Sequence, residues 1–227
     1  MHILLAIVAL LVLIIGPGLW INAVMARYRH PQDRYVKTGG QVARELLDGL
    51  SLEHVSTETT DSGDHYDPLQ KAVRLSESNF NGRSLTALTV AAHEVGHAIQ
   101  DADGFKPLHW RTRLVRWVGP VEKVGAGLLM LAPFSVALTR IPMIGIITFL
   151  GGMLTLGSGV VVHALTLPTE FDASFGRALP LVRLRRTLHQ EDLPRARRLL
   201  LAAALTYVAG ALQSLLNIAR WWAILRR

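Results

Sequence analysis

The stretch TVAAHEVGHAIQDADG, residues 89–104, decides how the rest of the chain is read. At its centre is an H-E-x-x-H word made of His93, Glu94 and His97. On an α-helix, positions i and i+4 lie on one face about one turn apart, so two imidazoles can address a single ion. Glu94 follows the first histidine and can reach a water at that ion without being a ligand, which is the placement of a general base. Leu85, Leu88, Ala92, Val95 and Ile99 recur at spacings of three or four, which predicts a helix. Ser84 is its expected N-cap, and Gly104 stands just past its expected end at about Asp103. Gly96, between the base and the second histidine, leaves room for a close neighbour. The competing reading is an ordinary helix whose two histidines and glutamate face solvent.

A catalytic zinc site has three protein ligands and one open position. The chain contains no cysteine, so thiolate ligands and disulfides are excluded. The extended word H-E-x-x-H-x-x-G-x-x-H is excluded as well, because Gln100 and Asp103 stand where its glycine and last histidine belong. A distant acid remains. LPTEFDASFGRAL, residues 167–179, offers Glu170, in a helix expected to start at Pro168. Asp172 is placed to orient a ligand histidine from behind. For Glu170 the alternative is an interfacial carboxylate paired with a nearby arginine such as Arg177.

The surroundings read as membrane. Half of the 227 residues are hydrophobic, and they come in blocks. The formal charge is +7, but no aromatic-basic patch accompanies it, so nucleic acid is not an expected partner. Residues 1–24 read as an uncleaved transmembrane anchor: no Lys or Arg precedes the apolar run, and no clear A-x-A site follows. Residues 25–117 balance twelve Lys and Arg against twelve Asp and Glu and read as a polar α+β domain, with a helix over 39–50 and β-like segments before the H-E-x-x-H helix. Residues 118–167 read as a two-span hairpin, with a long uncharged run ending at Pro168. Residues 168–198 carry Glu170 and an Arg-rich loop, and residues 199–227 a fourth span with its tail. The expected fold is therefore mainly α: about four transmembrane helices plus a small α+β zincin-like domain. Two spans between His97 and Glu170 return the chain to one side, as a shared zinc requires.

DHYDP (64–68), VRLS (73–76), GRSLTALTVAAHEVGHAIQDADG (82–104) and LPTEFDAS (167–174) resemble the YugP family of neutral zinc metallopeptidases, bacterial membrane proteins. The chain is also similar to the wider HtpX-like membrane proteases, which pair H-E-x-x-H with E-F-x-A-D; here Ser174 replaces that final Asp. The resemblance implies one Zn2+ per chain on His93, His97 and Glu170, with Glu94 as base. It also implies an edge strand beside the site helix that pairs with substrate backbone, a role for which KAVRLS (71–76) is placed. His65, Tyr66 and Arg74 are the candidates for stabilising an oxyanion. The expected function is a membrane-embedded zinc endopeptidase cutting protein or peptide substrates near the bilayer, with a membrane partner or oligomer open. The alternative is a non-catalytic membrane scaffold with a structural or vestigial zinc site. Arginines flanking the spans put the site on the cytoplasmic side of a multi-pass protein of the bacterial plasma membrane, against Arg140, Arg220, Arg226 and Arg227.

Overall fold

The computed structural model describes residues 2–225, which form two compact units. Arg226 and Arg227 lie outside the described residues, as do the side chains of Glu122, Arg220, Trp221 and Trp222.

The first unit comprises Gly18–His109 and Leu167–Thr206. Helix α1 (His2–Arg27) enters it and is followed by α2 (Gly39–Asp48). Thr38 opens α2 with a reciprocal cap: its Oγ1 accepts from the Gln41 N–H at 3.3 Å, and Gln41 Oε1 accepts from the Thr38 N–H at 2.9 Å. The apolar face of α2, Val42, Leu46 and Leu47, joins Leu88, Ala92 and Val95 of α4 (Leu85–Ala102) in one core. Ser84 caps α4, its Oγ accepting from the Ala87 N–H at 3.2 Å, and Gly104 beyond the helix takes a φ of 66° that suits glycine.

Three strands precede α4: β1 (Ser56–Thr59), β2 (His65–Asp67) and β3 (Ala72–Leu75), in the order β1-β3-β2. Asp67 turns the chain at Pro68, its Oδ1 accepting from the N–H groups of Leu69 and Gln70. However, β3 is the central strand. It pairs parallel with β1, Ser56 opposite Ala72, and antiparallel with β2, Tyr66 opposite Val73. Both of its hydrogen-bonding sides are taken, so β3 cannot be the edge that pairs with a substrate backbone.

Beyond α3 (Glu77–Phe80) and α4, the chain runs through α5 (Lys106–Thr139) and α6 (Pro142–Phe171). Pro168 neither ends α6 nor starts a helix. The helix passes through it and continues as a π-helical stretch, Asp172–Ala178, and then α7 (Leu179–Leu184). The π register is explicit in the Leu179 N–H, which donates to the Ser174 carbonyl five residues back. A short 3₁₀ turn, Gln190–Asp192, leads into α8 (Leu193–Leu225).

The second unit takes the chain up to Pro17, Trp110–Thr166 and the chain from Tyr207. Within it α5 and α6 form an antiparallel hairpin, turned at Arg140 and Ile141. The small residues of GGMLTLGSG (151–159) let the two helices pack closely: a Cβ at Gly152 would fall 2.6 Å from Leu129 Cγ. His163 faces its own unit, its ring 5.8 Å from that of Tyr207. Many large apolar side chains of the hairpin point outward, including Phe134, Leu138 and Leu154 at 69%, 87% and 78% exposure.

About four membrane spans were expected; among the described residues one helix is long and apolar enough to cross a membrane, the continuous run Pro142–Leu184. The reasons lie in the other apolar blocks. In α5 the uncharged run is confined to residues 124–139 between Lys123 and Arg140, short of the roughly 20 residues a span needs. In α8 the first apolar turns are spent inside the protein, with Leu199, Leu200, Ala202 and Ala204 buried. In α1 the part after Pro17 belongs to the first unit, where Ile21 is buried and the Met25 carbonyl accepts from Thr86 Oγ1 at 3.0 Å.

One polar hub ties distant parts of the first unit together. Asp192 is fully buried and accepts from Arg34 Nε at 2.5 Å, Tyr35 Oη at 2.6 Å and Arg195 Nη1 at 2.7 Å. Burial pushes this carboxyl up, but Arg34, Tyr35 and Arg195 outweigh it and hold the group below the usual carboxylate range. Its stabilisation is therefore complete above the unfolded pKa of about 4 and is lost as pH falls through the lower folded value. Asp192→Asn is expected to lower stability by about 1–3 kcal/mol at pH 7, because it removes the charged acceptor that the buried Tyr35 hydroxyl and the half-buried Arg34 share. Urea unfolding checks this, and the gap between variant and parent should narrow below about pH 4; a gap that stays constant to pH 2 contradicts the assignment.

Candidate metal centre

Helix α4 is buried on almost every side, and the H-E-x-x-H residues share that burial: His93, Glu94 and His97 are 5%, 6% and 4% exposed. This rules out the reading in which they face solvent. The two imidazoles meet edge to face with ring centroids 4.8 Å apart, as their i, i+4 spacing requires.

Glu170, 2% exposed, comes from the end of α6. Its Oε2 lies 3.2 Å from His93 Nε2 and 3.4 Å from His97 Nε2. One nitrogen of each histidine and one carboxylate oxygen thus fall within 4.8 Å of one another, a donor set able to hold a metal ion. The segments that supply them touch backbone to backbone. A Cβ on Gly96 would stand 2.6 Å from the Ala173 carbonyl oxygen, so glycine is what lets the π-helical stretch lie against α4. That close neighbour is the one expected from the sequence.

The remaining ring nitrogens are also engaged. His93 Nδ1 lies 3.2 Å from Ser174 Oγ, and Ser174 Oγ donates to the Leu200 carbonyl at 3.1 Å. The hydroxyl's single hydrogen is used at Leu200, so toward His93 it accepts, and His93 Nδ1 carries a proton. His97 Nδ1 lies 2.9 Å from Gln100 Oε1. Each histidine is therefore held from behind at Nδ1 while Nε2 faces Glu170, the arrangement in which imidazoles ligate metals. Two imidazole nitrogens and a carboxylate, with no thiol in the chain, fit zinc in a three-ligand site.

The other candidates sit elsewhere or act indirectly. Asp172 does not touch a histidine; its Oδ2 accepts from Gln100 Nε2 at 2.8 Å. Ser174 is the residue that touches His93. Tyr66 on β2 donates to Asp101 Oδ2 at 2.6 Å, and Lys71 reaches the same oxygen at 2.5 Å. Burial and the accepting Asp101 carboxylate push the Tyr66 phenol well above its usual range, so it stays a neutral donor. Arg74 is spent within the sheet on Glu58 at 3.1 Å, Asp67 at 2.8 Å and Gln70. His65 Nδ1 pairs with the Gly63 carbonyl at 2.8 Å. None of His65, Tyr66 and Arg74 has a described contact with His93, His97 or Glu170. Gln100 was missed in the sequence. Its only signal was a polar residue three positions after His97 on an otherwise buried face.

The chain matches the family model described as "Putative neutral zinc metallopeptidase" over residues 3–226. The chain belongs to this family. It is 36% identical over 187 residues to the "Putative membrane protease YugP" of Bacillus subtilis (strain 168), covering 82% of this chain and 79% of that protein. No solved structure matches. Membership of a zinc metallopeptidase family agrees with the donor set that α4 and Glu170 bring together.

The backbone contact at Gly96 gives a direct test. Gly96→Ala is expected to cost about 1–3 kcal/mol through overpacking against Ala173. It should also lower the zinc retained per chain, measured by elemental analysis beside thermal unfolding. An alanine variant with parental stability and zinc content would mean that the two segments can part without loss.

Proposed function

We propose that this chain is a zinc-dependent endopeptidase associated with a membrane, and that His93, His97 and Glu170 hold its one zinc ion. The observation that carries the reading is the burial of these three donors at 3.2 and 3.4 Å, with both histidines presenting Nε2. A zinc ion there supplies Lewis acidity, which eases deprotonation of water and polarises the carbonyl to be cut. Glu94 is the general base: its carboxylate takes the proton of the attacking water and passes it to the leaving amide nitrogen. Ser174 holds the His93 ring so that its lone pair stays on Nε2.

Membrane association is supported by the apolar run Pro142–Leu184, by the outward Phe134, Leu138 and Leu154, and by the name of the Bacillus subtilis relative. Glu170 ends the uncharged part of that run, which favours substrates whose scissile bond lies near the bilayer surface. The arginines of residues 168–198 favour a cytoplasmic face for the site.

Purified wild type is expected to hold about one zinc per chain and Glu170→Ala much less, because a third ligand is lost. Zinc retained in Glu170→Ala places the third ligand elsewhere. Glu94→Gln should keep its zinc while peptidase turnover falls about 10²- to 10⁴-fold. A variant that cleaves a model membrane-tethered peptide at the parental rate would remove Glu94 from the mechanism, whereas a parent chain that holds zinc but cleaves no peptide would favour a scaffold.

A further inference from the structure

Gln100 is completely buried, and every hydrogen-bonding atom of its side chain is committed. Its Nε2 lies 2.8 Å from the Thr169 carbonyl and 2.8 Å from Asp172 Oδ2. A carbonyl oxygen and an ionised carboxylate only accept, so the two amide hydrogens are both used there. The amide cannot be turned over, because that would set Oε1 against two acceptors. Oε1 therefore faces His97 Nδ1 at 2.9 Å, and since an amide oxygen only accepts, Nδ1 must carry the hydrogen. In a neutral imidazole the other nitrogen then holds the lone pair. That nitrogen, Nε2, is the one 3.4 Å from Glu170 Oε2.

Resting on the zinc reading above, we infer that Gln100 is a positioning residue that locks His97 in the tautomer able to bind the metal, and that Asp172 acts on His97 through it. The lock differs in kind from the one on His93. The Ser174 hydroxyl accepts from His93 only while its hydrogen stays on the Leu200 carbonyl, whereas the Gln100 amide has no second arrangement without opposed acceptors. The chain of contacts continues outward: Arg177 Nε stands 3.3 Å from Asp172 Oδ2, and the same guanidinium binds Asp103 just after α4. The line Asp103–Arg177–Asp172–Gln100–His97 begins and ends on the α4 segment, so the π-helical stretch is bound to it at two points.

The test is the zinc affinity of the full chain, measured by competition with a chromogenic chelator, alongside thermal unfolding of each metal-free form. Gln100→Leu is expected to weaken zinc binding about 10- to 100-fold, as loss of such a supporting partner does elsewhere. Gln100→Glu alone should weaken it as well, since it sets a carboxylate at position 100 against the Asp172 carboxylate and the Thr169 carbonyl. Combining Gln100→Glu with Asp172→Asn exchanges amide and carboxylate and restores donor facing acceptor between the two positions, so part of the lost affinity should return, the Thr169 carbonyl alone still facing an acceptor. The inference is overturned if Gln100→Leu binds zinc within about twofold of the parent, outside the range expected for such a partner. It is equally overturned if the double change binds no more tightly than Gln100→Glu. A parent chain that takes up no zinc is a separate result: it overturns the zinc reading, and this inference with it.

Discussion

The structure around the site depends on one constraint: ionisable groups buried this deeply must have a partner at each polar atom or be paired with opposite charge. His93, His97 and Glu170 cannot meet this condition from their own segments. The histidines lie on α4 and the carboxylate on α6; Ser174 of the π-helical stretch holds one ring and is itself held by the Leu200 carbonyl of α8, while Gln100 of α4 holds the other. Close approach of two backbones is what makes this possible. Where Gly96 meets Ala173 no side chain intervenes, and Ser174 falls within reach of a ring that Glu170 already faces.

Across the join of α6 and the π-helical stretch, Glu170, Asp172 and Ser174 meet three different partners over few residues. Glu170 points at both histidines, Asp172 reaches Gln100, and Ser174 bridges His93 to the Leu200 carbonyl. A π turn holds more residues than an α turn, and such turns are frequent at functional sites.

Local patterns were legible in the sequence, and tertiary ones were not. The H-E-x-x-H helix, its Ser84 cap and the use of Gly96 follow from spacing and residue size alone. The search for a third donor pointed to Glu170, and the fold does bring its carboxylate to both histidines. Gln100 could not be found in this way, because its meaning comes from the Thr169 carbonyl and Asp172, both distant in the chain. The central position of β3 was equally hidden, since its parallel partner β1 is not its neighbour in sequence. Apolar content was over-read as membrane for a related reason. Hydropathy does not distinguish a leucine facing lipid from one in a protein core, and Leu199 and Leu200 are in the core. Likewise Asp192 gave no local sign that it joins Arg34, Tyr35 and Arg195.

The bond from Ser174 to the Leu200 carbonyl has a thermodynamic meaning beyond holding a ring. It makes the seating of α8 and the affinity of the site two sides of one equilibrium, because the same hydroxyl serves both. Linkage of this kind is reciprocal. Whatever free energy a well-seated α8 lends to an ion at His93, the ion returns to α8 in full. An ion held at His93 would in that way tighten the seating of α8.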